Sequence, residues 1–137
     1  MTDPTAIMVV TGARDWDGDP DLITGSLRDF AARHPGHRLV LFHGDCPGDR
    51  SVDQLAAARA EHLGFDVIPF PAPFRRFGKV AGPCRNEVMC ASAARMGPDV
   101  VEAHGFPMPD STGTADCLRA ARACGLHGTE HRRRERG

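Results

Sequence analysis

The segment from Arg38 to Gly64 constrains the fold most, because a strand, a turn and a helix follow one another there. Its first six residues form a short apolar, partly β-branched run, which a Gly-Asp-Cys-Pro-Gly turn then breaks. From Ser51 onward apolar residues recur at helical spacing, and Gly64 suits the left-handed position that follows a helix. This order is typical of half a βαβ unit. In open parallel sheets, ligands bind where strands end and helices begin.

The rest of the chain repeats this alternation of strands and helices. Residues 6–11 are a near-continuous apolar run, which is typical of a strand buried on both faces. The other predicted elements are a helix over residues 20–31, a strand over 65–70, a long loop over 71–83, a helix that Pro83 opens and Gly97 ends, a strand over 99–104, and a helix from Ser111 to Cys124. We therefore predict a three-layer α/β domain with a mostly parallel sheet of four to five or more strands.

Length and charge narrow the class of protein. The 137 residues suit one domain, which we place at residues 1–126, with residues 127–137 as a basic and flexible tail. The tail is alternatively an arm that contacts phosphates. Seventeen basic and eighteen acidic side chains give a formal charge of −1, which argues against a general electrostatic attraction to nucleic acid or to an anionic membrane.

The cysteines give no sign of a metal site or a disulfide framework. There are five, an odd number, and no two of them form a Cys-x-x-Cys pair. The chain has neither a signal peptide nor a long apolar run, so we expect a cytoplasmic protein without a membrane partner. We predict no cofactor and no bound metal.

Four short motifs are spread along the chain from about Ile7 to Leu126. They are Thr11-Gly-Ala-Arg-Asp-Trp16, His43-Gly44 with a later Gly48 and Asp53-x-Leu-Ala56, Ala81-Gly-Pro-Cys-Arg-Asn86 with Met89, and Gly113-Thr-Ala-Asp116. Together they resemble the YspA-like branch of the SLOG superfamily. The resemblance implies a Rossmann-like fold that binds nucleotides or nucleotide-derived ligands. Relatives in the superfamily include the LOG phosphoribohydrolases, which release a base from a nucleoside monophosphate, and the single-strand-binding DprA proteins.

Three positions offer groups that suit an anionic ligand. Gly12 lets backbone amides approach a ligand closely, and the planar guanidinium of Arg14 fits a phosphate or, alternatively, a nearby aspartate. The pair Gly113-Thr114, at a helix start, offers amides and a hydroxyl to an anion. The alternative there is ordinary capping by Ser111 or Thr112.

Arg85 and Asn86 directly follow Pro83, which places them in the first turn of the predicted helix. A cation there opposes the helix dipole, so either a bound anion or an acidic neighbour such as Glu87 should compensate it. In the superfamily the equivalent arginine lies at the ligand site and is catalytic in the LOG enzymes. The resemblance therefore makes Arg85 the leading site residue.

Four further residues have both a functional and a structural interpretation. Asp53 either accepts a hydrogen bond from a ribose hydroxyl or favours the dipole of its own helix. His43, at a strand end, is placed for acid–base chemistry, although a buried and hydrogen-bonded histidine is the commoner case. Phe74 and Phe77 stand where the family usually has Trp and Tyr, so they either stack on a base or pack under the loop.

Two departures from the family pattern bear on catalysis. The LOG enzymes carry a P-G-G-x-G-T-x-x-E pattern whose glutamate serves the glycosidic cleavage, and Cys117 occupies that offset here. Asp116 is one position earlier, which turns a helical side chain by about 100°. Asp45 replaces a usual glycine, and its carboxylate would repel a phosphate, which we therefore expect nearer Arg14, Arg85 and Gly113.

The sequence thus supports three hypotheses, which we keep open. The first is a nucleotide-binding or ligand-sensing domain, the second an N-glycosidic hydrolase acting on a nucleotide, and the third a DprA-like binder of single strands, which the near-neutral charge disfavours. The candidate ligand-binding residues are Gly12, Arg14, Asp15, His43, Gly44, Asp53, Phe74, Arg85, Asn86, Gly113 and Thr114, and the candidate catalytic residues are Arg85 and Asp116. The helix over residues 88–96 is a candidate homodimer face or, alternatively, packs on the sheet.

Overall fold

The structure, a computed structural model, describes residues 3–109 and 111–131. The elements are β1 (Thr5–Gly12), α1 (Pro20–Arg33), β2 (Arg38–His43), α2 (Val52–His62), β3 (Asp66–Pro69), α3 (Phe74–Phe77), a 3₁₀ turn (Gly78–Val80), α4 (Ala81–Arg95), β4 (Val100–Phe106), α5 (Thr112–Ala123) and β5 (His127–Glu130). All five strands pair in parallel in the order β3-β2-β1-β4-β5. The predicted mostly parallel α/β fold is therefore confirmed.

The central strand β1 packs on both faces, as its unbroken apolar sequence predicts. Met8 and its neighbours two positions away point toward α1 and α2, where they join Ile23 and Leu27 in one buried cluster. Ile7 and Val9 point the other way and join the buried residues of α4 and α5. The two clusters make the three layers, with helices on each side of a single sheet.

The strand order places a topological switch point beside β1. The chain builds outward from β1 through β2 to β3, then crosses back to add β4 and β5 on the other side. Loops that leave the carboxyl ends of β1 and β4 therefore run to opposite faces of the sheet and leave a crevice between them. We therefore expect the functional side chains at that edge of the sheet.

Two predicted boundaries are corrected by the structure. The long loop over residues 71–83 contains α3 and the 3₁₀ turn, and α4 begins at Ala81 rather than at Pro83. Proline fits there because the first turn of a helix needs no amide donor. Arg85 consequently lies in the second turn of α4, one turn later than the sequence predicts.

The second correction concerns the tail predicted over residues 127–137. Its first four residues form β5, which pairs with β4 from Glu102 to Gly105. This strand is short, half exposed and contains glycine, so it lacks the apolar alternation that makes a strand visible in sequence. The rest of the predicted tail, residues 132–137, lies outside the described residues. In the described part of the chain, no helix has the length and apolarity needed to cross a membrane.

Candidate functional site

A cleft of about 850 Å³ opens at the carboxyl edge of the sheet. The ends of β1 and β2, the loop before α4, and the first turns of α2, α4 and α5 surround it. Its walls are formed by Thr11–Asp15, Gly44–Pro47, Asp53, Pro71, Ala72, Phe74, Lys79, Gly82, Pro83, Arg85, Asn86, Met108, Ser111–Thr114 and Asp116. Every predicted site residue except His43 lies on these walls.

Gly12, which lines the cleft, also makes room for the start of a helix. A Cβ built at Gly12 would collide with the side chain of Val52, the first residue of α2. A backbone hydrogen bond also joins α2 to the residue after β1, because the Val52 amide donates to the Ala13 carbonyl at 3.1 Å. The absence of a side chain at Gly12 therefore lets α2 start against the end of β1, which positions the residues of its first turn at the cleft.

The turn after β2 is held in place by α2. Ser51 Oγ donates to the Cys46 carbonyl at 2.7 Å, and Gln54 Nε2 donates both to that carbonyl and to Asp45 Oδ1. Asp45 has a φ of 53°, in the left-handed region that few residues other than glycine and asparagine or aspartate adopt. The carboxylate that replaces a family glycine therefore lies on the cleft wall, anchored by Gln54.

His43 stabilises the turn after β2 through a hydrogen bond to its backbone. Its ring is buried, and Nδ1 accepts a hydrogen bond from the Asp45 amide at 3.0 Å. Burial lowers the pKa of His43, with the Asp45 carboxylate opposing the shift and the Arg85 guanidinium adding to it. A neutral imidazole that accepts a backbone hydrogen bond stabilises the Asp45 conformation, and the ring does not form part of the cleft wall.

Arg85 connects three structural elements. Its Nη1 donates to the carbonyls of Gly44 and Phe70, which follow β2 and β3, and its Nε donates to Asn86 Oδ1 at 2.8 Å. Nε and Nη1 thus donate to carbonyl and amide oxygens, and within the described residues Arg85 forms no ion pair with Glu87, the acidic neighbour that the sequence offers. Arg85 therefore holds two strand ends together at the same time as it lines the cleft.

Asp116 is engaged on both of its carboxylate oxygens. Oδ2 accepts from Asn86 Nδ2 at 3.0 Å, and Oδ1 accepts from Arg119 Nη2 at 2.8 Å. Partial burial would raise the pKa of Asp116, but the hydrogen bonds from Arg119 and Asn86 outweigh it and lower the pKa. The carboxylate is thus ionised and already hydrogen-bonded at the rim of the cleft.

Asp53, unlike Asp116, is almost fully buried, and its carboxyl has a raised pKa. It is the second residue of α2 and only 5% exposed, and its Oδ2 accepts from the Cys46 amide at 3.0 Å. Its Oδ1 has no hydrogen-bond partner among the described residues. Burial raises the pKa of Asp53 to about 6, although the amides of Cys46 and Gly44 and the charge of Arg85 partly oppose the shift. A carboxyl this costly to bury is more typical of a functional site than of a stable core.

The first turn of α5 lines the cleft and has no side-chain cap among the described residues. Ser111 precedes the helix, but its hydroxyl accepts from the Met108 amide at 2.8 Å and makes no side-chain cap. Among the described residues, the amides of Thr112, Gly113 and Thr114 therefore have neither an intrahelical acceptor nor a capping side-chain oxygen. The buried hydroxyl of Thr114 also lacks a partner among the described residues. These groups converge where an anion is favoured.

The loop before α4 adds an aromatic ring and a cation. Phe74 is 52% exposed and lies on the cleft wall, whereas Phe77 lines a separate apolar groove with Val80 and Val88. Lys79 also reaches the cleft, and sequence reasoning missed it. The signal that was available is the basic and aromatic composition of residues 74–79.

The charges on the cleft wall nearly balance. The cations are Arg14, Lys79 and Arg85, and the carboxylates are Asp15, Asp45, Asp53 and Asp116. Within the described residues Arg14 takes part in no ion pair, so the aspartate partner considered from the sequence is not observed there. No cluster of three or more His, Cys, Asp or Glu side chains in that part of the chain is arranged to hold a metal.

An all-parallel sheet with a polar cleft at its carboxyl edge defines a Rossmann-like α/β domain. The family model described as YspA, cpYpsA-related SLOG family matches residues 6–77. The Gene 61 protein of Mycobacterium phage D29 is 34% identical over 121 residues, which cover 87% of this chain and 90% of that protein. The chain therefore belongs to the YspA, cpYpsA-related SLOG family, as its four motifs predict.

Proposed function

We propose that the cleft binds a nucleotide or a nucleotide-derived ligand, and that the protein acts as a ligand-binding or sensing domain. The observation that carries this proposal is the first turn of α5, whose amides have no side-chain cap among the described residues and which lines a cleft large enough for such a ligand. The buried Thr114 hydroxyl, which also lacks a partner among those residues, lies in the same turn. Membership of the SLOG family is compatible with this function.

The phosphate of the ligand is proposed to bind at the start of α5. The amides of Gly113 and Thr114 supply donors, and the helix dipole favours negative charge at this end. Arg14, which has no ion-pair partner among the described residues, adds a planar cation on the same cleft wall. Asp45 lies on the cleft wall too, and its carboxylate should keep the phosphate away from the turn after β2.

The base is proposed to lie against Phe74. A half-exposed aromatic ring beside a polar cleft has an apolar face available, and stacking suits every nucleobase because each has a π-face. The near balance of charges in the cleft favours a ligand with one phosphate over a triphosphate, since a triphosphate would bring more negative charge than three cations facing four carboxylates compensate.

The hydrolase hypothesis has weaker support from the site. A LOG-like cleavage needs a carboxylate that acts on the sugar, but both oxygens of Asp116 are hydrogen-bonded to Asn86 and Arg119. Cys117, at the offset of the LOG glutamate, is fully buried. Binding of single-stranded nucleic acid, the DprA-like hypothesis, also has weak support, because the formal charge is −1 and the cleft is not basic.

A thermal-shift screen tests the proposal. Wild-type protein is heated with ribonucleoside 5′-monophosphates, cyclic nucleotides, ADP-ribose and NAD, and a ligand at a hundred times its dissociation constant should add about 2.7 kcal/mol to the free energy of unfolding. The matched variants are Gly113→Glu and Gly25→Glu, because an added Cβ meets no heavy atom within 4 Å at either helical position. A glutamate at Gly113 should strengthen the helix start but repel a phosphate.

We expect a shift that is lost in Gly113→Glu and kept in Gly25→Glu. A ligand that stabilises both variants equally would show that the phosphate binds elsewhere. A free base appearing with time in the same mixtures, measured by liquid chromatography, would replace the sensor proposal by the hydrolase. The absence of any shift across the screen would overturn the proposed function.

A further inference from the structure

The carboxyl of Asp53 is almost fully buried, and its two oxygens have different environments. Oδ2 accepts from the Cys46 amide, which ties the turn after β2 to the start of α2. Oδ1 has no partner within hydrogen-bonding geometry among the described residues, although the Gly44 amide is near enough to lower the pKa of the carboxyl and the residue lies on the cleft wall. An unmade hydrogen bond to a buried carboxylate is costly, so this oxygen is expected to have a partner when the site is in use.

Among the described residues no cation forms an ion pair with Asp53. The nearest candidate is Arg85, whose hydrogen bonds go to Gly44, Phe70 and Asn86. Asp45 adds a second negative charge nearby. The two neighbouring carboxylates disfavour a phosphate at this part of the cleft, which favours a donor without negative charge as the partner of Oδ1.

We propose that the free oxygen of Asp53 accepts a hydrogen bond from a ribose hydroxyl, so that the site selects ribonucleotides over deoxyribonucleotides. The inference rests on the proposed function and adds the sugar preference to it. With the phosphate at α5 and the base against Phe74, the sugar is the part of the ligand between them, and its hydroxyls are neutral donors. Oδ1 is buried, so the proposed contact requires the Asp53 side chain or the adjoining turn to move when the hydroxyl binds.

The variant Asp53→Asn separates this role from a structural one. Its amide oxygen can still accept from Cys46, so the turn is kept, while its NH₂ group replaces the free acceptor by a donor. The matched control is Asp49→Asn, which removes an exposed carboxylate from the same turn at a position away from the cleft.

The experiment measures dissociation constants for the four ribonucleoside 5′-monophosphates and for their 2′-deoxy and 3′-deoxy counterparts. Wild type and Asp49→Asn should bind one of the deoxy series about tenfold to a hundredfold more weakly than the ribonucleotides, as expected for a lost hydrogen bond to a charged group. In Asp53→Asn this discrimination should disappear, while thermal unfolding shows an intact fold.

The outcomes that contradict the inference are distinct. Equal binding of ribo- and deoxyribonucleotides by wild type would overturn the sugar preference and leave the proposed function standing. A change of base preference in Asp53→Asn, with the ribose discrimination retained, would assign Asp53 to an amino group of the base and overturn the inference as well. Absence of binding by every monophosphate would overturn the nucleoside-monophosphate site and the sugar preference together.

Discussion

The guanidinium of Arg85 occupies the space that the missing side chain of Gly44 leaves. Arg85 Nη1 donates to the Gly44 carbonyl, and a Cβ at Gly44 would collide with the guanidinium itself. The family motif that contains Gly44 and the family motif that contains Arg85 are thus complementary in shape. Because the two residues are far apart in sequence, neither motif reveals this relationship by itself.

Gly44→Ala should therefore destabilise the protein and displace Arg85. Overpacking of this kind costs about 1–3 kcal/mol, and urea unfolding followed by circular dichroism measures it. Gly25→Ala is the control, because its added methyl meets open space on α1 and should be neutral or stabilising by about 1 kcal/mol. A Gly44→Ala protein as stable as wild type would mean that Arg85 is not held against the turn.

Arg85→Lys should also lose stability, by about 1–3 kcal/mol, although the charge is conserved. A lysine ammonium cannot reproduce the fork that contacts two carbonyls and the Asn86 side chain. Differential scanning calorimetry gives the comparison, with Arg28→Lys on the exposed face of α1 as the control. If Arg85→Lys unfolds at the wild-type temperature, the carbonyl contacts contribute nothing and the residue is free to serve the ligand alone.

Asp53→Asn should stabilise the protein at neutral pH. The folded-state pKa of about 6 lies above the ordinary 3.8, so the stability that Asp53 contributes is fully present below pH 3.8 and lost as pH rises through about 6. Removing the buried charge should raise the free energy of unfolding by about 1–3 kcal/mol at pH 7.5, and the difference from wild type should vanish near pH 4. Urea unfolding at both pH values measures it. A destabilised Asp53→Asn at pH 7.5 would show that the carboxylate is well solvated.

Low pH should weaken the packing of His131, the residue that follows β5, against Phe106 and His104. His131 stacks on the Phe106 ring with centroids 4.6 Å apart, and its Nε2 lies 2.8 Å from His104 Nδ1. Burial lowers the pKa of both histidines below the ordinary 6.5, so their stability contribution is present above pH 6.5 and is lost as pH falls through the lowered values.

The variant His131→Phe should therefore be less acid-sensitive than wild type between pH 7 and pH 5. It keeps an aromatic ring against Phe106 and removes one of the two groups that would take up a proton. The slope of the unfolding free energy against pH is the readout. Equal slopes for the two proteins would show that His131 does not titrate on unfolding in this range.

The exposed side of α4 is expected to mediate self-association. One side of α4 packs on the sheet, which was the alternative to a dimer face. This side carries Met89, Cys90 and Ala93. Val88 is 58% exposed beside the apolar groove that Phe77 lines. Such an apolar surface favours a contact between copies of the chain.

Sedimentation velocity should show a dimer for wild type and a monomer for Val88→Glu. Leu22→Glu, which charges an exposed leucine on α1 on the opposite side of the sheet, is the control and should stay dimeric. Wild-type protein that remains monomeric at high concentration would exclude this face as a homodimer interface.

The amino-acid sequence by itself determined the order and type of nearly all the elements. The bounds of β2, Arg38–His43, agree with the prediction, and α1 begins at Pro20 with Asp19 as its N-cap. These features follow from local rules, since strand and helix periodicity, a proline at the first helical position and a capping aspartate act within a few residues. The same rules missed β5, which is short and polar and becomes a strand because β4 offers it a parallel edge.

Only the tertiary structure decided what each site residue contacts. Sequence could place Asp53, His43 and Phe77 near the carboxyl edge, but not show that Asp53 keeps a free oxygen, that His43 supports a turn, or that Phe77 belongs to another groove. It also could not reveal that Gly12 is needed by Val52. The physical reason is that hydrogen bonds and van der Waals contacts depend on distances between atoms, and the residues that meet here are brought together from distant parts of the chain by the packing of the sheet and its helices.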